Sequence, residues 1–391
     1  MKNTSKIKSN DKFIAIDVGC GDAFFLQRNG VNILVDGGKS KRCLPKLLKS
    51  RVGDVNLDII VCTHCDADHI NGLIGYYESG MKSKETWLPG SWSHRIDDLL
   101  QSPESFAREL YYDINEYVEH NEITESISLQ DIGNIMSHKK IDNEDYGQIK
   151  NHQKSPGEES LESERVSKSI ISIRKLKRIL SNPKREIYKS DIEKNIKRIF
   201  ESAIHSAVNI LQLSSLACNA GSKIRWFEYS NNSSSGGKEY LLPVNSKEIL
   251  SYKKDVNAFM YLALTKANIE SLVFYSPAAD SKSGVLFTAD SNFVFNQGLG
   301  FIQSNSIITA PHHGSESNKN TYERLHDHIG DDNIFIRSDL NSKSRPGNSY
   351  LKLSQKKYCT ICRGSNNKMH IEFTYSKLKE WQTDNKTCQC K

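Results

Sequence analysis

No apolar run in this sequence approaches the ~20 residues that a membrane-spanning helix needs, so a bilayer-embedded chain is excluded from the reading. The first ten residues, MKNTSKIKSN, are polar and basic with no apolar stretch behind them. FIAIDV, which follows, is too short for a secretory leader and reads as a strand, so a cytoplasmic protein with no membrane partner is expected. An excess of one charge is lacking too: 53 Lys and Arg against 47 Asp and Glu leave +6, which selects no class of partner. There is no internal repeat. Gly19-x-Gly21 is not a dinucleotide fingerprint, because a second strand rather than a helix follows it. The nine cysteines are odd in number, and in a large chain from a reducing compartment they are expected as free thiols.

What is present divides the 391 residues into three regions. Residues 1–93 are rich in short β-type runs. FFLQ and VNILV flank Arg28-Asn29-Gly30, a hairpin signal because Asn-Gly tolerates the positive φ of a tight turn. LDIIVCTH runs from an apolar strand straight into polar residues. Residues 94–221 change period: SPESFARELYYDINEYVEH and SDIEKNIKRIFESAIHSAVNILQLSSLA repeat at helical spacing, with start signals at Ser102-Pro103-Glu104 and Ser190-Asp191. The polar stretch 139–163 between them reads as a loop. Residues 222–391 return to strands, after a connector, NNSSSGG at 231–237, that reads as flexible. Strands, a helical block, then strands predict one β-rich domain interrupted by a helical insertion.

The densest chemistry is Thr63-His64-Cys65-Asp66-Ala67-Asp68-His69, four candidate ligands within six residues directly after an apolar strand. A strand end followed by a tight loop can aim several such side chains at one point, as binding two cations demands. GVLFTAD is a second apolar strand, ending in Asp290, and SIITAPHHGS a third, ending in His312-His313-Gly314-Ser315. A lone Asp after a strand is usually a turn or cap residue, and adjacent histidines are often a surface pair. Three strand ends of one kind make the stronger case together.

These motifs resemble the metallo-β-lactamase superfamily, whose signature is His-x-His-x-Asp-His after a strand. They resemble in particular the soluble hydrolase domain of the ComEC-type competence proteins and their stand-alone relatives. That branch carries Asp-Val-Gly-x-Gly-Asp, here Asp17-Val18-Gly19-Cys20-Gly21-Asp22, then Val-Asp-Gly-Gly, here at 35–38. It has Asp at the second histidine of the signature, here Asp66. An Asn-x-x-Ser-Leu-Val strand matches residues 268–273, Thr-Gly-Asp matches Thr288-Ala289-Asp290, and Pro-His-His-Gly-Ser is unchanged at 311–315. The resemblance covers residues 12–93 and 222–375 and leaves the insertion outside. One motif departs: where the family has Gly-His-Pro, with a histidine completing the second metal site, this chain has Ser344-Arg345-Pro346-Gly347. Arginine stays protonated and cannot ligate, so either the second metal site is one ligand short or another residue, such as Asp339, compensates; an arginine aimed at a substrate phosphate would be a functional replacement.

The resemblance implies an α/β (α+β) fold, a four-layer αββα sandwich with a mainly helical insertion serving as a lid or nucleic-acid platform. It implies two divalent metal ions, Zn²⁺ or Mn²⁺, since a cage with several carboxylates suits either. His64, Asp66 and one of His312 and His313 would hold the first, Asp68 and His69 the second, with Asp290 bridging. A bridging water would lose its proton near pH ~7 and attack a phosphorus or carbonyl centre. The spare histidine of the pair, with Ser315, would donate hydrogen bonds to the developing charge, and Asp36 would orient a ligand from behind. The implied activity is that of a phosphodiesterase or nuclease.

DNA or another nucleic acid is the favoured substrate. Residues 165–200 hold twelve Lys and Arg against three acids, with Arg174, Lys175, Lys177, Arg178, Lys184 and Arg185 close together. That is a phosphate-contact strip or, equally, a solvated helix face. Two alternatives stay open: a small phosphodiester of cyclic-nucleotide or choline-phosphate type, and a catalytically weak module binding nucleic acid or a protein partner through a degenerate second metal site. A role in antiviral defence is a speculative extension. Cys359-x-x-Cys362 and Cys388-x-Cys390 could make a four-thiolate zinc site. The first pair is expected within an alternating strand, where residues three apart face opposite sides, so that reading ranks lower. Cys20, Cys62 and Cys65 are not expected to bind metal. His94, His120, His138, His152, His205, His326, His328 and His370 read as ordinary histidines.

Overall fold

The computed structural model describes residues 11–123, 125–142, 152–153, 162–181, 190–278, 283–340, 344–362, 370–375 and 380–390. The mixed α/β chain forms β1 (Lys12–Ala15), β2 (Phe24–Arg28), β3 (Val31–Val35), α1 (Cys43–Arg51), β4 (Leu57–Val61), α2 (Ala67–Glu78) and β5 (Ser83–Pro89). Next come α3 (Ile96–Gln101), α4 (Pro103–His120), α5 (Leu129–Asp142), β6 (His152–Gln153), α6 (Glu162–Ser181) and α7 (Asp191–Asn219). The remainder is β7 (Lys223–Tyr229), β8 (Leu242–Pro243), β9 (Ser246–Ile249), β10 (Tyr252–Lys253), α8 (Ala258–Thr265), β11 (Phe274–Ser276), β12 (Val285–Phe287), β13 (Ile307–Thr309), α9 (Lys319–His326), β14 (Ile334–Arg337), α10 (Asn348–Leu351), β15 (Lys356–Cys359), β16 (Ile371–Tyr375) and β17 (Trp381–Gln382).

Two mixed sheets carry the fold. One has nine strands in the order β17-β16-β1-β2-β3-β4-β5-β7-β9, the other six in the order β15-β14-β13-β12-β11-β8, and β10 and β6 form a separate ribbon. The Asn-Gly hairpin forms as read: β2 and β3 pair antiparallel, with Asn29 at φ 52° and Gly30 at φ 79°. Alternation along the strands decides the stacking. Phe13, Phe24, Leu26, Ile33, Val35, Ile59 and Val61 of the first sheet share a core with Phe274, Val285, Phe287, Ile307 and Ile336 of the second. Their neighbours Ile14, Phe25, Leu34 and Ile60 face the other way, into a core with the helices. The opposite face of the second sheet, with Leu286, Ile308 and Phe335, packs on Tyr322 and Leu325 of α9 and Tyr350 of α10. A strand buried on both faces reads as a continuous apolar run, as Ile59-Ile60-Val61 of β4 does. Each fully buried Ile or Phe contributes about 1.5–3 kcal/mol.

The described part of 94–221 supplies α3 to α7. These do not stand apart: Phe106, Leu110, Ile132, Leu176, Ile204 and Leu211 join the core beneath the first sheet. Ser190 caps α7 with a reciprocal Ser–Glu193 box. The loop expected over 139–163 is shorter than read. Its first four residues belong to α5, residues 152–153 pair with β10, and its last two open α6; the rest lies outside the described residues. The connector 231–237 is tied down rather than flexible, because Glu248 N donates to Ser235 O at 2.9 Å and Gly237 N donates to the Glu248 carboxylate at 3.2 Å. Among the described residues, no helix is long and apolar enough to cross a membrane.

α2 lies against the turn after β3 with no room to spare. A Cβ on Gly72 would sit 1.7 Å from Gly37 O, and Gly37 N donates to His69 O at 2.8 Å. Gly→Ala inside a helix ordinarily stabilises by about 1 kcal/mol. Here Gly72→Ala is expected to destabilise by roughly 1–3 kcal/mol, because the helix must move off the turn. Urea denaturation midpoints decide the sign.

Candidate metal centre

The three strand ends named in the sequence, and those of β3 and β14, meet at one end of the two sheets. β3 leads into Asp36, β4 into Thr63 and His64, β12 into Asp290, β13 into His312 and His313, and β14 into Ser338. All five are parallel strands, and loops at the carboxyl ends of parallel strands converge on one rim. Close approach makes the convergence tight. Gly21 has φ 94°, and a Cβ there would meet Asp68 O at 1.8 Å, so the Gly-rich turn after β1 lies directly on the His-Asp motif.

Asp290 is the hub. Its Oδ2 lies 3.7 Å from His64 Nε2 and 3.5 Å from His312 Nε2, while its Oδ1 lies 3.3 Å from His69 Nε2 and 3.7 Å from His313 Nε2. His313 Nε2 is also 3.6 Å from Asp68 Oδ2. The second nitrogen of each ring is anchored from behind. His64 Nδ1 meets Thr63 Oγ1 at 3.0 Å, His69 Nδ1 meets Asp36 at 2.8 Å, and His312 Nδ1 meets Asn318 Oδ1 at 3.0 Å. His313 Nδ1 meets Asp22 at 3.1 Å and Ser338 O at 3.0 Å. A carbonyl only accepts, so Nδ1 of His313 carries hydrogen and Nε2 faces the centre. Thr63 in turn donates from N and Oγ1 to Asp36, at 2.9 and 2.7 Å.

The buried atoms His64 Nε2, His69 Nε2, His313 Nε2 and Asp290 Oδ1 make no hydrogen bond. Buried polar atoms are normally partnered, and these four lie together, the three ring nitrogens facing the Asp290 carboxylate. Two candidate ligand groups, each within 4.8 Å, share Asp290: His64 with Asp66, and Asp22 with His69 and His313. This donor set fits divalent cations. The backbone is strained at the same place: Asp36 (φ 58°), Ala289 (φ 48°), His312 (φ 46°) and His313 (φ 55°) are left-handed without being glycine. Such residues cost on the order of 1–3 kcal/mol each and cluster where geometry is over-determined.

The seven residues read as metal ligands therefore lie at one rim, with differences in role. Both members of the His312–His313 pair face Asp290, one on each oxygen. Asp66 occupies the N-cap position of α2 yet caps nothing. Its Oδ1 accepts from Lys266 at 2.7 Å and its Oδ2 from Gln130 at 3.1 Å. Ser315 is engaged in its own turn, accepting from Ser317 N at 3.3 Å. Arg345 grips Asp339, at 3.0 and 3.4 Å, and Asp339 belongs to neither candidate ligand group. Asp22, Asn318, Lys266 and Gln130 were missed. Asp22 closes the Gly-rich motif and was visible there; Gln130 comes from the insertion, 64 residues from Asp66, with no sequence signal. Among the histidines read as ordinary, His94 is buried 3.2 Å from Glu228. A cleft of about 740 Å³ lined by Asn305, Asp332, Lys356, Tyr358 and Trp381 shares no residue with this centre.

Charge and burial set the protonation. Burial opposes the charged form of His69, but Asp290 and Asp36 outweigh it and hold its pKa well above 6.5. Burial likewise opposes His313, and Asp22 and Asp290 outweigh it. Burial would raise Asp290, yet His312, His69 and His313 keep it well below the usual carboxylate range.

Two outcomes follow. Without a cation, His69 and His313 hold protons at neutral pH, so Zn²⁺ filling this rim in chelator-treated protein at pH 7 should release about two protons from these two rings, and apparent affinity should rise with pH. The raised pKa values contribute stability that is fully present below about 6.5 and is lost as pH climbs through the folded values. Metal-free protein should therefore weaken above that pH, which a weakly buffered titration and melting curves would check. Asp36→Asn, which loosens the hold on His69, should lower metal affinity by about 10–100-fold, read by competition with a chromogenic chelator. The chain matches no protein-family model and no curated protein.

Proposed function

We propose that this chain is a two-metal hydrolase of the metallo-β-lactamase superfamily, with a four-layer αββα sandwich, and that it cleaves phosphodiester bonds in DNA or another nucleic acid. One observation carries the reading: four imidazole Nε2 atoms surround the two oxygens of the buried Asp290 carboxylate, and most of these atoms make no hydrogen bond. The sandwich is supported by three stacked cores, between helices and the first sheet, between the sheets, and between the second sheet and α9 and α10.

His64, His312 and Asp290 Oδ2 would hold one cation, with Asp66 beside them; Asp68, His69, His313 and Asp290 Oδ1 would hold the other. When bound, Zn²⁺ or Mn²⁺ would supply an attacking hydroxide near neutral pH and offset charge on the phosphorus oxygens. Asp22, Asp36, Thr63 and Asn318 fix the imidazoles so that little reorganisation remains for the reaction. Lys266, bonded to Asp66 at the rim, brings positive charge beside the place where a phosphate would sit. Arg345 stays on Asp339, the residue after Ser338, whose carbonyl anchors His313.

Nucleic acid is preferred because Arg174, Lys175, Lys177 and Arg178 are all exposed along α6, although Lys175 also pairs with Glu104 at 2.9 Å. A phosphate-tracking surface should be salt-sensitive.

The test is cleavage of single- and double-stranded DNA and of RNA with added Mn²⁺ or Zn²⁺. Wild type should cleave at least one polymer, and Asp290→Ala should reduce cleavage to background. Charge reversal at Arg174 and Arg178 should raise KM at physiological salt while leaving kcat unchanged. Full metal loading with no cleavage of any polymer, but turnover of a small phosphodiester, would replace the nucleic-acid reading. No turnover of either would leave a binding module.

A further inference from the structure

We propose that Cys359, Cys362, Cys388 and Cys390 form a second, structural metal site, a four-thiolate centre for Zn²⁺ that fastens the C-terminal segment to the end of β15. The site is separate from the histidine-rich rim and does not depend on the hydrolase reading.

The four sulfurs lie within 4.8 Å of one another. Individual Sγ separations are 3.6 Å for Cys359–Cys390, 3.5 Å for Cys362–Cys388, 3.6 Å for Cys362–Cys390 and 3.3 Å for Cys388–Cys359. A disulfide would require about 2.05 Å, and all four are free thiols. A tetrahedron with Zn–S bonds of ~2.3 Å has sulfurs ~3.8 Å apart, close to what is found. Pairing two by two would bring two distances short and leave the others long; here they are nearly equal.

The backbone is arranged for thiolates. Cys362 N donates to Cys359 Sγ at 3.2 Å and Cys390 N donates to Cys388 Sγ at 3.3 Å, so each pair carries an amide aimed at its own first sulfur. Arg337, 1% exposed, donates from Nη1 to Cys390 Sγ at 3.7 Å. Four thiolates around one Zn²⁺ carry a net charge of −2, which a buried guanidinium offsets in part. The objection from strand alternation fails on local geometry. β15 stops at Cys359 and the chain bends through residues 360–362, so the two thiols turn to the same side.

The position gives such a site a use. β15 is one of the two edge strands of the six-stranded sheet. The tail lies along it, with Cys388 N donating to Lys357 O at 2.6 Å. Exposed edges invite unwanted pairing, and a metal clasp keeps the tail over this one. Arg337 then links clasp to rim, since its Nε donates to His313 O at 2.8 Å and its Nη2 to Arg345 O at 3.3 Å.

The experiment loads the full chain with Co²⁺ and reads the near-ultraviolet thiolate-to-cobalt charge-transfer band together with metal content. Wild type and Asp290→Ala should both show the band and keep at least about one metal per chain, because the rim contains no cysteine ligand. Cys388→Ser/Cys390→Ser should lose the band and one metal equivalent. Should that variant fail to fold, wild type alone decides: the as-purified protein should carry Zn²⁺ that protects four cysteines from alkylation until a chelator is added. A wild type without the band, with all four thiols open to alkylation or joined as disulfides, would overturn the proposal. Retention of the band in the double-serine variant would do the same.

Discussion

The carboxylate of Asp290 is the constraint on which the candidate centre depends. It is 3% exposed, and each of its oxygens faces two imidazoles across gaps of 3.3–3.7 Å, wider than good hydrogen bonds. A buried carboxylate is tolerated only among compensating positive charge or dipoles, so the surrounding groups must be held firmly. Asp36 holds His69, Asp22 and Ser338 hold His313, and Asn318 holds His312 while its amide nitrogen donates to Asp290 O at 3.1 Å. Each anchor belongs to a different connection, so the centre staples the two sheets together at one rim.

That stapling explains local features that are costly in isolation. His312 and His313 take left-handed backbone, which reverses the chain sharply enough after β13 to bring both rings over Asp290. The glycines at 21, 37 and 72 permit backbone contacts that any side chain would block. Asp36 also has left-handed backbone and accepts from both Thr63 and His69, so one residue sets the relative position of the strand end and the helix start.

The insertion belongs to the same physical unit. Its helices share the core beneath the nine-stranded sheet, and Gln130 of α5 reaches both Asp66 and Asn268. Asp66 is thereby drawn toward Lys266 and Gln130, away from the capping role its position would favour. Gln130, from the insertion, thus holds the same carboxylate that Lys266 holds from the second half of the chain.

The sequence by itself pointed to β1 to β4, β12 and β13, the Asn-Gly hairpin, the principal helices α4 and α7, and the ligand-type residues His64, Asp66, Asp68, His69, Asp290, His312 and His313 that the fold brings to one rim. These were legible because period, turn chemistry and ligand clusters at strand ends are local properties. Shorter helices such as α8 were not read, since AFMYLALT is apolar all round and has no face. Only the tertiary structure decided which histidine faces which oxygen, that Asp66 is bound by Lys266 and Gln130, and that Arg345 is occupied by Asp339. It also decided that Cys359, Cys362, Cys388 and Cys390 meet, against an expectation built on strand alternation. The physical reason is common to all of these. Each depends on where a strand stops or how far a distant segment folds back, and neither is encoded in the spacing of the residues concerned.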